Sequence, residues 1–190
     1  MTTIAFLGTG LMGTGFIQRA RANDLTVRAW NRSAAKALAL AANDAAGVTA
    51  CATVAEAVRG AERIHLSLAD DASVDAVLEP LAGVLPAGAW VVDHTTTAVR
   101  PTAERVARWT ARGVRYVHAP VFMAPANCAE GTGWMLISGE PARHQALQSA
   151  LKAMTGSLVY LGPQPERAAA LRCARKVRLR RCAAQPLRGR

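Results

Sequence analysis

Thr3-Ile4-Ala5-Phe6-Leu7-Gly8-Thr9-Gly10-Leu11-Met12-Gly13-Thr14-Gly15-Phe16-Ile17-Gln18-Arg19-Ala20 is the stretch whose reading decides the fold. A short apolar run, then glycines spaced GxGxxG, then a helix-forming stretch read as buried strand, turn and helix. In that context each glycine has a task. Gly8 permits the tight turn, Gly10 lets the backbone approach a diphosphate, and Gly13 lets the helix pack close to the strand. The diphosphate would rest on the unpaired N–H groups at the helix start, where the dipole adds roughly 0.3–2 kcal/mol. The competing reading is an ordinary glycine-rich turn, and the flanking strand and helix argue against it. Gly8, Thr9, Gly10, Leu11, Met12 and Gly13 are therefore candidate cofactor-binding residues.

Working outward, Asn23-Asp24 closes the first helix and Leu25-Thr26-Val27-Arg28-Ala29-Trp30 forms a second strand. Asn31-Arg32-Ser33 stands where that strand ends, 23 residues after Gly8. At this distance a dinucleotide-binding unit places the residue that reads the adenosine ribose. An acid there would accept from the 2′-hydroxyl. Arg32, with the Ser33 hydroxyl beside it, offers paired donors to a 2′-phosphate instead, so the expected cofactor is NADPH rather than NADH. The alternative is that Arg32 is only a solvated charge near a helix start.

The pattern continues as strand and helix in alternation. Ser33 is expected to cap a helix to about residue 42, and residues 48–50 form a short strand. Thr53 caps residues 54–59 with Glu56 at the capping-box position. Strands are expected at 63–68, 89–93 and 114–117, with helices through about residue 78 and over 99–112. This is an α/β fold: a Rossmann-type, doubly wound, mainly parallel sheet with helices on both faces. No internal repeat at a solenoid period is found. Ligands in such sheets lie beyond the carboxyl ends of the strands. Gly8 to Gly13, Asn31 to Ser33, Leu68 to Asp70 and Asp93 to Thr97 thus gather around one crevice. Thr95, Thr96 and Thr97 bring three hydroxyls, and one of them is expected to cap the next helix. His65, inside an apolar strand, reads as a satisfied core histidine, and His144 as a surface residue.

The net charge of +10 looks like a nucleic-acid signal until it is located. Residues 166–190 hold nine of the 23 Lys and Arg residues and one of the 13 acids, which leaves 14 bases against 12 acids in the rest. The basicity is a tail. No basic-plus-apolar leader precedes the first strand and no apolar run reaches the eighteen or so residues of a membrane span, so the expected compartment is the cytoplasm. Cys51, Cys128, Cys173 and Cys182 form no CxxC pair and are expected to be free thiols. No metal site is expected.

The motifs together resemble one family. Gly8-x-Gly10-x-Met12-Gly13, Asn31-Arg32-Ser33, Asp93-x-Thr95-Thr96, and Ala119-Pro120-Val121 followed by Gly131-Thr132 look like the β-hydroxyacid dehydrogenases. That group contains 3-hydroxyisobutyrate dehydrogenase and the NADP-binding domain of 6-phosphogluconate dehydrogenase. The match runs from residue 3 to about 163, four motifs in order. The resemblance implies hydride transfer between NADP(H) and a hydroxy acid or the corresponding carbonyl. It places Thr96 near the nicotinamide, and Leu68 and Ala69 along the cofactor.

Two departures qualify it. The family's substrate loop usually reads Asp-Ala-Pro-Val-Ser-Gly-Gly, whereas this chain has His118-Ala119-Pro120-Val121-Phe122-Met123-Ala124-Pro125-Ala126-Asn127. Phe122, Met123, Ala124 and Asn127 become the candidate substrate-binding residues, in a more apolar pocket that also resembles the imine reductases. There Phe122 and Met123 could instead pack against a partner, while Asn127 is left for a polar substrate group. Second, the family's long helix with a catalytic lysine and an asparagine one turn later would begin after Leu161-Gly162-Pro163, near Leu171 and Arg172, and no such pair follows. Arginine is a poor proton donor because its pKa stays above about 12.

The domain expectation is a dinucleotide-binding unit over 1–163 and a basic tail over 164–190, irregular or a short helix, with the family's C-terminal helical domain missing. The preferred account of the tail is a shifted reading frame or a truncated gene, with impaired catalysis. The rival is a non-catalytic protein with a basic nucleic-acid-binding arm, against which stands the lack of aromatic residues to stack on bases. A small-molecule substrate and self-association into a homo-oligomer are the expected partners.

Overall fold

The computed structural model describes residues 2–174. The first unit runs β1 (Thr3–Leu7), α1 (Leu11–Ala22), β2 (Thr26–Trp30), α2 (Ala34–Asn43) and β3 (Val48–Ala50). The second runs α3 (Val54–Val58), β4 (Arg63–Leu66), α4 (Asp71–Leu78), β5 (Trp90–Asp93), α5 (Val99–Ala111) and β6 (Arg115–His118). These six strands form one sheet in the order β3-β2-β1-β4-β5-β6, every pair parallel. The order reverses direction at β1/β4, which opens the crevice that such sheets use for ligands.

β1 is a continuous apolar run because both its faces are covered. Ile4 and Phe6 join Phe16, Ile17 and Ala20 of α1 in one cluster, while Ala5 and Leu7 join Val58 of α3 and Val74 and Leu78 of α4 in the other. A second, three-stranded sheet follows: β7 (Val121–Phe122), β8 (Trp134–Ile137) and β9 (Ser157–Tyr160). β7 is antiparallel to β8, and β8 is parallel to β9. Between them lie α6 (Pro125–Glu130) and α7 (Pro141–Lys152), whose Cys128, Leu147 and Leu151 extend the first cluster. Gly15 sets the approach of α6 to α1: a Cβ there would lie 2.6 Å from the Pro125 carbonyl oxygen and 2.9 Å from the Cys128 Cβ.

On the far side, Arg105 of α5 is 1% exposed and clamps α4, 2.8 Å from Asp75 and 3.0 Å from Asp71. Arg108 and Arg112 continue the ladder to Asp75 and Glu79. Residues 167–174 are helical, with Ala168 and Ala169 buried; residues 175–190 of the expected tail lie outside the described residues.

Several local expectations change. Ser33 occupies the N-cap of α2 without a side-chain cap; its carbonyl instead accepts from the Asn31 amide. Thr53 accepts the Glu56 N–H as expected, but the Glu56 carboxylate takes the N–H of Ala52, one residue short of a capping box. No threonine side chain caps α5, whose N-cap is Ala98; the Thr97 hydroxyl is drawn to Thr102 and His118 instead. His144 is half-buried because its ring stacks on Tyr160, centroids 4.5 Å apart. Cys51, Cys128 and Cys173 are free thiols, while Cys182 lies outside the described residues. Among the described residues no helix is long and apolar enough to cross a membrane.

Candidate functional site

α1 begins at Leu11, directly after the glycine turn, so Leu11, Met12 and Gly13 are its first turn. The first intrahelical bond is Thr14 N–H to the Gly10 carbonyl, 2.8 Å, and no side chain caps the N–H groups before it. Helix geometry leaves those donors without a partner in the helix. The glycines divide by role. Gly8 has φ +99°, and a Cβ there would strike the Ser67 carbonyl oxygen; a Cβ on Gly13 would strike the Gly8 carbonyl oxygen. These two serve the fold. A Cβ on Gly10 would meet nothing within 4 Å, so at Gly10 the backbone faces open space.

The crevice over this turn has a volume of about 650 Å³. Gly8, Gly10, Leu11 and Met12 form one side, Ser67, Leu68 and Ala69 another, and Trp30, Asn31, Arg32, Ser33 and Lys36 the β2 end. Asn31 is a tie between the two turns: its Oδ1 accepts the Thr9 N–H at 3.1 Å and its amide donates to the Ser33 carbonyl. The Thr9 hydroxyl is buried and lacks a hydrogen-bond partner among the described residues. Arg32, just before the Ser33 N-cap, and Lys36, in the first turn of α2, are both exposed at the rim. Asp70 is held below the usual carboxylate range, mainly by hydrogen bonds with Ser73 and in smaller measure by the Arg32 charge. The uncapped start of α1, a bare glycine backbone and two rim cations fit a dinucleotide.

Met12, Ser67 and Leu68 are shared with a second pocket of about 140 Å³, where Thr95, Thr96, His94, Met123 and Arg172 meet. Thr95 Oγ1 accepts the Leu68 N–H at 3.0 Å, which ties the β4 and β5 ends together. Asp93, fully buried, holds the turn: one carboxylate oxygen accepts the Thr95 N–H at 2.8 Å and the other the Tyr116 hydroxyl at 2.6 Å. Burial and the Asp93 charge raise the Tyr116 pKa, so it stays a donor.

Two histidines lie beneath. His94 Nδ1 is 2.8 Å from the Ala119 carbonyl and must donate to it, so neutral His94 accepts through Nε2 from His65 Nδ1 at 3.0 Å. His65 is thus half-satisfied: its Nε2 is buried with no hydrogen-bond partner among the described residues. Desolvation dominates, lowering His94 to about 4 and His65 well below its ordinary value. His118 Nε2 donates to the Thr95 carbonyl at 2.9 Å, and burial lowers its pKa too.

Each candidate can now be placed. The cofactor candidates Gly8, Gly10, Leu11, Met12, Asn31, Arg32, Ser33, Leu68 and Ala69 line one crevice, Thr96 lines the adjoining pocket, and Gly13 and Thr9 shape the turn behind them. The substrate candidates separate. Met123 lines the small pocket, and Phe122 lies beneath Arg172, its ring centroid 5.0 Å from the guanidinium carbon. Ala124 and Asn127 are engaged with each other: the Ala124 N–H donates to Asn127 Oδ1 at 2.9 Å and the Asn127 amide donates to Thr132. Asn127 therefore spends its side chain on the α6 start. Lys36, His94 and Arg172 line the two pockets beside the residues expected from the sequence. Lys36 stands in the first turn of α2, close behind Arg32 in the chain, and the resemblance, which puts the family's catalytic lysine near Leu171 and Arg172, is the one signal that points Arg172 to this site.

Against known proteins, the NAD binding domain of 6-phosphogluconate dehydrogenase matches residues 3–162. An NADPH-dependent reductive aminase of Aspergillus oryzae is 28% identical over 162 residues, 84% of this chain and 52% of that protein. Cytokine-like nuclear factor N-PAC of Xenopus tropicalis is 31% identical over 163 residues, 84% of this chain and 30% of that protein. The solved structure of Mycobacterium tuberculosis 3-hydroxyisobutyrate dehydrogenase with L-serine superposes with a TM-score of 0.85 at 25% identity, over 93% of this chain and 60% of that one. This chain thus spans about half or less of the curated relatives named here. With the strand order, the glycine turn and a match over most of its length in agreement, the chain belongs to the family of the NAD binding domain of 6-phosphogluconate dehydrogenase, an NAD(P)-binding Rossmann-type domain.

Proposed function

We propose that this chain binds NADPH in preference to NADH and supplies the cofactor half of a cytoplasmic oxidoreductase that acts on a small carbonyl or hydroxy acid. The observation that carries the proposal is the 650 Å³ crevice with Arg32, Ser33 and Lys36 at one end and the open Gly10 backbone at its middle. Bound there, the nicotinamide supplies or accepts the hydride. The chain's own part is to hold the diphosphate on the α1 amides, fix the ribose phosphate between Arg32 and Lys36, and keep Thr96 and Met123 beside the reacting end. A reductive-aminase relative and the apolar Met123 wall favour imines as a second substrate type. The N-PAC relative keeps a binding role without turnover as the rival.

Calorimetric titration with both cofactors, followed by turnover on a panel of carbonyls and imines, separates these readings. NADPH is expected to bind about tenfold or more tightly than NADH, since a charge-assisted contact contributes ~1.5–3 kcal/mol. Arg32→Asp should erase the preference, and Lys36→Ala should reduce it. Equal affinity of the unsubstituted protein for the two cofactors overturns the Arg32 assignment. Cofactor binding with no turnover on any substrate favours the binding role.

A further inference from the structure

The turn that follows β5 is held from behind by one ring. His118, 1% exposed at the end of β6, brings Nε2 to 2.9 Å from the Thr95 carbonyl and 3.0 Å from Thr97 Oγ1. Thr97 Oγ1 lies 2.7 Å from Thr102 Oγ1, which in turn lies 2.7 Å from the Ala98 carbonyl. A carbonyl only accepts, so every direction in this chain is fixed. Thr102 donates to Ala98, Thr97 donates to Thr102, and the His118 Nε2–H is shared between the Thr97 hydroxyl and the Thr95 carbonyl. Two carboxylates hold the backbone on either side: Asp93 accepts the Thr95 N–H at 2.8 Å and Asp71 the Ala98 N–H at 2.9 Å. Thr95 and Thr97 are buried by these bonds, while Thr96 between them is half-buried and lines the small pocket.

The front of the same turn meets the cofactor crevice. Thr95 Oγ1 accepts the Leu68 N–H at 3.0 Å, and Leu68, with Met12 and Ser67, is common to the crevice and the small pocket. A dinucleotide with its ribose phosphate at Arg32 and Lys36 and its diphosphate at Gly10 has its nicotinamide end at that shared wall. A shift of Thr95 therefore moves Thr96 and Leu68 together, both of which border that end. We propose that His118 is a positioning residue for the nicotinamide end of the site: its Nε2–H sets the turn at 95–98, and through it Thr96 and Leu68, where the ring must lie. The inference rests on the dinucleotide reading of the crevice and adds the residue that orders its reacting end. His118 acts through Thr95 and Thr97, behind which it is buried. An apolar side chain in its place takes the donor from a buried carbonyl and a buried hydroxyl at once, a loss that draws both groups toward other partners.

Titration of the full chain with NADPH and with adenosine 2′,5′-bisphosphate, the half of the cofactor that stops short of the nicotinamide, separates positioning from folding. His118→Leu is expected to bind NADPH about tenfold more weakly and the bisphosphate as the unsubstituted protein does, which also shows that the variant folds. His118→Gln, whose amide puts an N–H near the place of the lost Nε2–H, should recover most of the NADPH affinity. Thr97→Val removes the shared hydroxyl at nearly the same volume and should cost about threefold with NADPH alone; it carries the comparison if His118→Leu does not fold. NADPH affinity that both His118→Leu and Thr97→Val leave unchanged overturns the proposal. Equal weakening of the two ligands does so too, because His118 then serves the fold and not the nicotinamide end. An unsubstituted protein that binds neither ligand removes the dinucleotide reading itself, and this proposal with it.

Discussion

Three glycines of identical chemistry do different work within six residues, and the difference is measurable. Gly13→Ala places a methyl group against the Gly8 carbonyl oxygen, a backbone atom that cannot swing away. Overpacking of this kind costs about 1–3 kcal/mol, more than the ~1 kcal/mol that alanine gains in a helix. Gly10→Ala adds a methyl group to open space at an ordinary φ of −72°. Its stability should stay within ~0.5 kcal/mol of the unsubstituted protein, while NADPH affinity falls at least about tenfold. Denaturant melts and cofactor titration of both variants check this; a Gly10→Ala protein that binds NADPH normally would place the diphosphate elsewhere. The buried histidines set a second residue-scale prediction. Burial lowers His65, His94 and His118 in the folded state, His94 to about 4. Below the ordinary histidine pKa of about 6.5 the unfolded chain binds more protons, so stability is complete above that pH and is lost as pH falls toward 4. The urea midpoint should be lower at pH 5 than at pH 7. Equal midpoints would mean that these rings take up protons in the folded protein as readily as in the unfolded chain.

At the scale of elements, the dependence runs through close packing of helices. α1 meets α6 across Gly15, where a methyl group would come within 2.6 Å of the Pro125 carbonyl oxygen. Gly15→Ala should therefore destabilise by about 1–3 kcal/mol in a thermal melt despite the better helix propensity. A stabilised variant would show that α6 can move away freely. The parallel strands were legible because a strand covered on both faces reads as an unbroken apolar run, as Ile4 to Leu7 does. The second sheet was not. β7 is two residues long, and its partner β8 follows only after α6, so neither length nor spacing announces a pairing. Helix caps were only half legible, because a hydroxyl at the right position takes whichever partner the tertiary fold brings closest. Thr97 prefers Thr102 and His118 to the open end of α5.

For the whole molecule, the body is close to neutral and displays large apolar side chains. Leu11, Leu38, Val84, Trp134 and Leu171 are each more than two-fifths exposed. We propose that the chain self-associates; its support is these exposed side chains, which mark an interaction face where they fall together in one patch. Light scattering across a concentration series should give a mass above the 20.0 kDa monomer; a monomer at high concentration overturns it. The sequence by itself determined the Rossmann order of elements and the place of the glycine turn and of Arg32. These depend on interactions between residues close in the chain: apolar runs, turn glycines and the spacing of one strand–helix–strand unit. Only the tertiary structure decided which side chains are spent and which face the crevice. Asn31 and Asn127 look alike as polar site residues, yet one ties two turns and the other holds the start of a helix. Lys36 joins Arg32 at the rim, and Arg172 enters the small pocket from 160 residues beyond Met12, a contact closed by the docking of 167–174 on Ser138 and Thr97. Such long-range contacts are chosen by packing of the whole chain, which no local pattern of residues records.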